Sequence, residues 1–398
     1  MQRLKDCIKV FLLLNILILL LFGVVKIPTS LVTKNCKQSV SVLNSEKQIY
    51  TLGDLAYCRD PNADAVALNI MMTNNSLLKS WYYGKEGNEK YLDLTNKYLE
   101  TGNAEKISYY EYWHGYQILY KPLLIFMTIK QIRILYFVAY IIMLVYFLYS
   151  LYKMKDYFLL FAFLALNLLF ITPSAFLSME FIPVALLMLL GSILVYKYDC
   201  YGIILANLGV VTVFLDFLTA ETLTLTIPLL ILAYKMRVSF IKGIKYCLYW
   251  CLSYIGTIFY KLILMSIIYK SNYVLKFINR YQNHFTTTPR DFKMWGMIID
   301  NNFKVVGINY GIAVFIAIVF ITYIFRTKKM SFENLMLTVL LGLVPILRYT
   351  VLLDHSRYLF YFTYRALFAT LFSELICLKG CVKIGVINKF ITIFRKEC

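Results

Sequence analysis

Three aspartates in the segment TLGDLAYCRDPNADAVALN, soon after the first apolar run, are the first residues that could do chemistry. They are Asp54, Asp60 and Asp64, and a carboxylate in this position could deprotonate or orient a sugar hydroxyl within hydrogen-bond reach. The alternative is a helix start, because Asp60 and Asn62 flank Pro61 in a pattern that suits a cap and first turn. Asp64 is the stronger catalytic candidate, since ADAVALN continues into an apolar helix face that would partly bury it.

The stretch SYYEYWHGYQILYKPLL combines a histidine with several aromatic rings. Its tyrosines suit a belt at a membrane interface, which explains most of them without a site. His114 lies between Trp113 and Gly115, and a glycine there lets another backbone approach closely. An aromatic ring beside a histidine suits a sugar ring or a phosphate. Trp113 and His114 are therefore candidate substrate-binding residues, with a structural histidine as the alternative.

Charged residues within apolar runs form a third group, because each costs roughly 2.5–3.5 kcal/mol at the centre of a membrane helix. Lys261 in GTIFYKLILMS and Arg365 in YFTYRALF both lie about two turns from the same side of the predicted bundle. Lys261 could instead extend its ammonium to the head groups, and Glu180 and Asp216 could simply be solvated. Arginine suits phosphate, so one shared site for an anionic head group is predicted. Its candidate residues are Lys261, Arg348, His355, Arg357, Arg365 and Asp216.

The elements that position these residues are predicted to be membrane helices. The 398-residue chain is 60% hydrophobic, which is more apolar surface than a soluble domain of this size can bury. About ten runs approach the ~20 residues that a helix needs to cross the bilayer, where backbone groups must pair within the segment. The predicted fold class is all-α, a polytopic transmembrane helical bundle of about 10 spans. The predicted spans are roughly 9–26, 132–151, 157–173, 177–196, 202–218, 223–236, 246–268, 308–325, 334–353 and 358–378.

Basic residues fall in every second gap between the apolar runs, and this alternation predicts the orientation. Arg3, Lys5, Lys153, Lys235 and Lys379 all lie in gaps that are cytoplasmic if the N-terminus is inside, which places both termini in the cytoplasm. The net charge of +19 is concentrated at span ends, beside anionic head groups, so nucleic acid is not a predicted partner. The first run could instead be a signal peptide, but it has no small-residue cleavage pattern, and an uncleaved anchor is favoured.

The pattern divides the chain into a signal-anchor span (1–26), an extracytoplasmic loop domain with an interfacial helix (27–131), a transmembrane bundle of about nine spans (132–378) and a cytoplasmic amphipathic tail (379–398). Pro122–Met127 is apolar but too short to cross, so it is predicted to lie along the outer interface. A second outer segment covers 269–305. Cys36 and Cys58 are the cysteines in outer regions, where either a disulfide or two free thiols is consistent with oxidising surroundings.

Several motifs of soluble enzymes are missing from the sequence. It has no glycine-rich phosphate loop, no GxSxG elbow and no HExxH helix. No CxxC pair or His/Cys spacing indicates structural zinc. No cofactor is predicted, and a requirement for a divalent metal is left open. Internal repeats are not evident, which disfavours a transporter built from inverted halves.

Four segments, ADAVALN, YWHGYQILYKPLLIFMTIKQIRIL, FLDFLTAETLTLTIPL and HSRYLFYFTYR, resemble a family of multi-pass membrane proteins of Gram-positive bacteria. The layout is similar to that of GT-C glycosyltransferases, which use polyprenyl-phosphate sugars on the outer face. The resemblance implies a catalytic acid shortly after the first span, matching Asp64 with Asp60 as second choice. It also implies that Lys261 and Arg365 hold the lipid phosphate. The chain departs from the superfamily in lacking an adjacent pair of acidic residues in this loop.

The expected function is that of a GT-C-like glycosyltransferase that transfers a sugar from a polyprenyl-phosphate donor to a cell-envelope glycan acceptor. The expected partners are membrane lipids, the donor and the acceptor. An envelope polysaccharide polymerase or ligase would share the outer active face but use two lipid-linked substrates. A transporter or flippase would instead show charges along a path through both leaflets. Most of the charges within predicted spans lie in the outer half of the bilayer, and Glu374 is the main exception.

Overall fold

The structure is a computed structural model that describes residues 2–46, 49–52, 55–58, 61–72, 77–78, 81–83, 95, 97, 101, 106–171, 176, 178–215, 220–287, 291–325 and 330–381. Within these ranges, four helices are long and apolar enough to cross a membrane. They cover Lys5–Val25, Ile129–Lys153, Phe240–Ile268 and Phe332–Val351, and shorter apolar helices accompany them. The prediction of a helical membrane protein is confirmed in this coarse form.

The helices are numbered here in chain order, and turns and strands are given separately. The helices are α1 (Gln2–Val25), α2 (Thr29–Ser45), α3 (Pro61–Met72), α4 (Gln117–Tyr120), α5 (Ile129–Lys153), α6 (Tyr157–Leu166), α7 (Ile182–Lys197), α8 (Tyr201–Leu215), α9 (Leu223–Met236), α10 (Phe240–Ile268), α11 (Tyr273–Thr287), α12 (Phe292–Lys304), α13 (Gly311–Phe325), α14 (Phe332–Val351), α15 (Leu353–Tyr358), α16 (Phe360–Thr363) and α17 (Leu367–Cys381). A π-helical turn covers Asn167–Ile171, and 3-10 turns cover Leu123–Ile125 and Tyr364–Ala366. The strands are β1 (Ile49–Leu52), β2 (Leu55–Cys58), β3 (Trp81–Tyr83) and β4 (Lys106–Ser108).

Shorter apolar helices form the centre of the bundle. Every residue of α9 from Leu223 to Ala233 is buried, and a helix that is apolar on all sides is stable when neighbours surround it. It packs against α7, α8, α14 and α17. The long helices α1, α5 and α10 lie at the periphery and expose apolar side chains such as Leu19, Ile142 and Leu252. Such outward apolar faces are expected where lipid is the solvent.

A second, smaller core joins the segment after α1 to the start of α5. Helix α2 packs against α3, α5 and the 3-10 turn Leu123–Ile125, with Val40, Leu68 and Ile132 among the buried side chains. The strands pair as two antiparallel two-stranded sheets, β1 with β2 and β3 with β4. Of the two alternatives for Cys36, the structure has the free thiol. Burial raises its pKa to about 12, so the thiol stays protonated.

Three predicted segments differ in detail from the observed helices. The tenth predicted span, 358–378, is not one helix, because α15 ends at Tyr358 and the 3-10 turn Tyr364–Ala366 separates α16 from α17. The outer segment 269–305 contains two helices, α11 and α12, in which apolar side chains recur on one face. The apolar Pro122–Met127 segment contributes one 3-10 turn in place of the expected interfacial helix.

Residues in or next to gaps that the charge pattern assigns to one side meet at one end of the bundle. The Tyr234 hydroxyl donates to Asp156 Oδ1 at 3.2 Å, and Lys235 Nζ donates to the Tyr196 carbonyl at 2.6 Å. We call this end, which carries Asp156 and Lys235, the basic end. Helix α5 runs away from it for about 30 Å at 1.5 Å per residue, so Arg133 in its first turns lies at the opposite end, which we call the site end.

Candidate functional site

The site end holds a buried ion cluster centred on Arg133. Arg133 Nη1 lies 2.9 Å from each carboxylate oxygen of Glu46, and Nη2 donates to Asp64 Oδ2. The Met179 N–H donates to the other Asp64 oxygen at 2.7 Å. The side chains of Arg133 and Asp64 are 5% and 0% exposed. Arg133 Nε is buried and has no hydrogen-bond partner among the described residues.

The surroundings of Asp64 are those of an ion-pair partner. Helix α3 places it in its first turn, facing Arg133 of α5. A buried guanidinium needs a compensating carboxylate, because an uncompensated one costs several kcal/mol, roughly 3–5 in measured cases. The Asp64 carboxylate therefore orients and neutralises Arg133 in this state of the protein. The second catalytic candidate, Asp60, lies outside the described residues, as does Asp54.

Arg365 forms a second buried pair at the break before α17. Its side chain is wholly buried, and Nη1 lies 3.5 Å from Glu180 Oε1. The guanidinium carbon lies 4.5 Å from the centre of the Phe181 ring and 5.6 Å from that of Phe362, so aromatic faces replace part of its hydration. The 3-10 turn around Arg365 thus points the charge at Glu180 and two rings, away from lipid.

A third pair joins the end of α14 to the start of α9. Arg348 Nε and Nη2 donate to the two oxygens of Glu221 at 2.7 and 3.1 Å, the bidentate geometry in which arginine binds carboxylates most strongly. Arg357 is half-buried, and its guanidinium lies 5.2 Å from the centre of the Tyr358 ring. The side chain of His355 and the whole of Asp216 lie outside the described residues.

His114 is buried in a turn beside α8, with a positive φ of 54° that few residue types adopt. Its Nε2 lies 2.8 Å from the Tyr109 carbonyl, and the Tyr116 hydroxyl lies 3.3 Å from Nδ1. Burial and then Lys261 lower the pKa of His114 to about 3, so the imidazole is neutral. The Gly115 N–H donates to the Phe214 carbonyl at 2.9 Å. This is the close backbone approach expected of that glycine.

Lys261 is 1% exposed and lies inside the protein. Its Nζ donates to the Tyr112 carbonyl and lies 5.6 Å from the centre of the Trp113 ring. The Trp113 Nε1–H donates to the Thr257 carbonyl at 3.1 Å, one helical turn before Lys261. The alternative in which Lys261 extends to the head groups is therefore wrong. The structure brings His114, Trp113 and Lys261 together.

Hydrogen bonds, together with residues adjacent in the chain, connect the three arginine ion pairs to one another. The Tyr120 hydroxyl donates to the Met179 carbonyl at 2.8 Å. The Met179 N–H donates to Asp64, and the next residue in the chain is Glu180. The Tyr349 hydroxyl donates to the Thr363 carbonyl at 2.9 Å, which joins the third pair to the turn that carries the second. We call the residues of these three ion pairs, together with Lys261, the polar layer. Its basic members are Arg133, Lys261, Arg348 and Arg365, and its acidic members are Glu46, Asp64, Glu180 and Glu221.

Four of these residues were missed by reasoning from the sequence. Arg133 lies within one of the four resembling segments, and Glu221 within another, but neither was a candidate. A signal existed for Arg133, because it is a charge in the first turns of an apolar run, as Lys261 and Arg365 are in theirs. Glu46 and Met179 carry no such signal. Glu46 follows the end of a polar helix, and Met179 contributes only its backbone N–H.

Comparison with models of protein families, with curated protein sequences and with solved structures finds no match for this chain. Across the described ranges, no three His, Cys, Asp or Glu side chains form a group that could hold a metal ion. The function is therefore inferred from the chemistry of the polar layer.

Proposed function

We propose that the chain crosses the cell membrane about ten times, with both termini in the cytoplasm and the site end outside. The alternating basic gaps support this orientation. The contacts of Asp156 with Tyr234 and of Lys235 with Tyr196 support placing these helix ends on one common side.

The orientation is tested by adding single cysteines to a cysteine-free chain at exposed apolar positions. Ile241 is 78% exposed near the basic end and Phe292 is 88% exposed in the segment predicted to be outside. A membrane-impermeant maleimide should label Phe292→Cys on intact cells. It should label Ile241→Cys only after the cells are permeabilised. The reverse pattern would overturn the orientation.

We propose that the protein is a GT-C-like glycosyltransferase that uses a polyprenyl-phosphate-linked sugar at the site end to build or modify a cell-envelope glycan. The observation that carries this proposal is the buried Arg133, whose Nε has no hydrogen-bond partner among the described residues although its other nitrogens bind Glu46 and Asp64. A buried donor left over on a guanidinium is suited to one more anionic oxygen, such as that of a phosphate.

In this proposal the donor phosphate binds Arg133 and shares it with the two carboxylates. Asp64 then loses part of its ion pair and becomes available to accept a proton. The acceptor hydroxyl oxygen bonds to the sugar carbon, the bond from that carbon to the phosphate breaks, and the hydroxyl proton goes to Asp64. Polyprenyl phosphate leaves with the bonding electrons, which Arg133 and Lys261 stabilise. Trp113 and His114 would form the ring platform beside Lys261.

The test separates binding from transfer. Polyprenyl phosphate is titrated onto the purified protein in nanodiscs by native mass spectrometry, and transfer is followed as the envelope glycan of cells that carry each variant. Arg133→Gln should weaken binding at least tenfold. Asp64→Asn should keep binding within about threefold and abolish transfer, which corresponds to less than about 0.7 kcal/mol in binding.

The control is Lys304→Gln, because Lys304 is an exposed cation that pairs with Asp300 of its own helix and belongs to none of the candidate sites. It should change neither quantity. Thermal unfolding of each variant verifies folding. Full binding by a folded Arg133→Gln protein, or transfer by Asp64→Asn at normal protein level, would overturn the proposal.

A transporter is the second candidate, and Glu374 favours it. Its carboxyl is 6% exposed in α17, and Oε1 has no hydrogen-bond partner among the described residues. Buried ionisable groups of this kind mark ion or proton paths in membrane proteins. Glu374→Gln should leave glycan transfer intact in a transferase. Loss of all function in that variant, with Asp64→Asn active, would favour the transporter.

A further inference from the structure

A long groove lies between α1, α8 and α10, on the outside of the bundle. Its volume is about 840 Å³. It runs from the start of α1 at the basic end to Tyr260 in α10, and it passes Thr257, whose carbonyl accepts the Trp113 hydrogen bond. We call it the α1 groove. Its apolar and aromatic walls include Val10, Phe11, Leu14, Tyr249, Leu252 and Tyr260.

Small residues on α8 and α10 form the floor of the α1 groove. Helices α8 and α10 approach closely at Gly209, where a β-carbon would overlap the Trp250 carbonyl oxygen. Gly202, Ala206 and Gly256 line the groove on the two helices. A β-carbon on Gly256 would meet no atom within 4 Å, so the space above this glycine is open. The tight α8–α10 contact therefore seals the floor while α1 forms the far wall.

The α1 groove is long enough to hold a single acyl chain. On α10 it extends from Tyr246 to Tyr260, which is about 21 Å at 1.5 Å per residue. One leaflet contributes about half of the ~30 Å hydrocarbon thickness. A lipid whose head group lies at the basic end could therefore place one chain along most of the groove. The T-shaped contact between the rings of Phe11 and Tyr260, with centres 5.9 Å apart, closes its far part.

The mouth of the α1 groove carries charges of both signs. Asp6 and Lys9 of α1 line it, together with Asp199 just before α8. The Tyr201 hydroxyl donates to Asp199 Oδ1 at 2.7 Å, which fixes the carboxylate at the mouth. Two carboxylates and one ammonium complement a head group that has one ammonium and one phosphate. An anionic head group without an amine would meet two like charges there.

We propose that the α1 groove binds one acyl chain of a phospholipid with a primary ammonium head group, of the phosphatidylethanolamine class. The lipid ammonium binds between Asp6 and Asp199, and its phosphate binds Lys9. The chain lies over Gly256, beneath Phe11. The site is separate from the polar layer, so it stands whether or not the protein transfers sugars.

The experiment uses the full chain in nanodiscs with two photoreactive probes, phosphatidylethanolamine and phosphatidylglycerol, each with a diazirine in one acyl chain. Cross-linked peptides are mapped by mass spectrometry. The phosphatidylethanolamine probe should label the groove-lining parts of α1, α8 and α10 at least fivefold more than the phosphatidylglycerol probe. The double variant Asp6→Asn/Asp199→Asn should remove this preference.

Filling the groove gives the second arm. Gly256→Phe should reduce groove labelling at least tenfold. The matched control is Gly23→Phe, because Gly23 is also an exposed glycine whose β-carbon would meet no atom within 4 Å, but it does not line the groove. That variant should label like the parent protein. Labelling that survives Gly256→Phe, or equal labelling by both probes, would overturn the proposal.

Discussion

Removal of the Glu221 carboxylate tests whether the polar layer holds the bundle together. Glu221 and Arg348 form a bidentate pair at 2.7 and 3.1 Å, with side chains 8% and 4% exposed. Glu221→Gln keeps the shape of the side chain but leaves the Arg348 guanidinium without its countercharge. Since α9 is the central helix and α14 packs against it, the loss should reach the whole bundle.

The magnitude follows from the geometry of the pair. At about 3 Å and an effective dielectric constant of ~20, the attraction between unit charges is about 5 kcal/mol. Removal of one partner from buried pairs costs roughly 3–5 kcal/mol, because the remaining charge keeps its desolvation penalty. We therefore expect Glu221→Gln to lower the free energy of unfolding by about 3 kcal/mol or more. The double variant Glu221→Leu/Arg348→Met should lower the free energy of unfolding by about 2 kcal/mol less than the sum of its two single variants.

The assay is reversible unfolding of the purified protein in mixed micelles, with the parent, both single variants and the double variant in one cycle. Asp300→Asn is the control, because the Asp300–Lys304 pair of α12 is 38% and 55% exposed. It should change the free energy of unfolding by less than about 1 kcal/mol. A cost below 1 kcal/mol for Glu221→Gln, or additive single and double variants, would refute the structural role of the pair.

Two further predictions concern the turn that carries His114. The pKa of His114 in the folded protein, about 3, lies below the ordinary value of 6.5. Because the unfolded chain binds the proton at the higher pH, the free energy of unfolding should fall as the pH drops from about 6.5 towards 3. The slope should be up to ~1.4 kcal/mol per pH unit. His114→Gln should flatten this part of the pH profile in the same unfolding assay, and an unchanged slope would contradict the assignment. Gly115→Ala should destabilise the fold by more than about 2 kcal/mol, because its β-carbon would overlap the ring and carbonyl of Phe214, whereas Gly256→Ala should be near neutral. Equal melting temperatures of these two alanine variants would count against the close approach.

Features that depend on composition along a short stretch could be predicted from the sequence. The long apolar helices α1, α5, α10 and α14 coincide with predicted spans because hydrocarbon thickness fixes their length. The apolar neighbours of Lys261 and Arg365 indicate that both charges lie within helices of the bundle, but they leave open whether Lys261 reaches the head groups. The close backbone contact of Gly115 could be predicted because a residue without a β-carbon lets another backbone approach closely.

Features that depend on pairing between distant residues could not be predicted. The high cost of burying a charge indicates that a partner exists, but it does not identify that partner. Asp64 and Arg133 are 69 positions apart, and Glu221 and Arg348 are 127 positions apart. For Asp64 this missing information matters most, because a carboxylate near an acceptor site and a carboxylate that neutralises an arginine have the same local sequence.

The pairing also changes how the buried cations should be ranked as ligands for an anionic substrate. Arg348 has both carboxylate oxygens of Glu221 on two of its nitrogens, so a phosphate there would have to displace a well-formed bidentate contact. Lys261 instead donates to a carbonyl oxygen, and no ion pair among the described residues includes it, although the charge of Glu111, which pairs with Arg280, acts on it. Arg133 retains a buried Nε donor. If an anion binds at the site end, Arg133 and Lys261 should therefore account for most of its affinity, and the Arg348 pair should serve mainly to hold α9 and α14 in place.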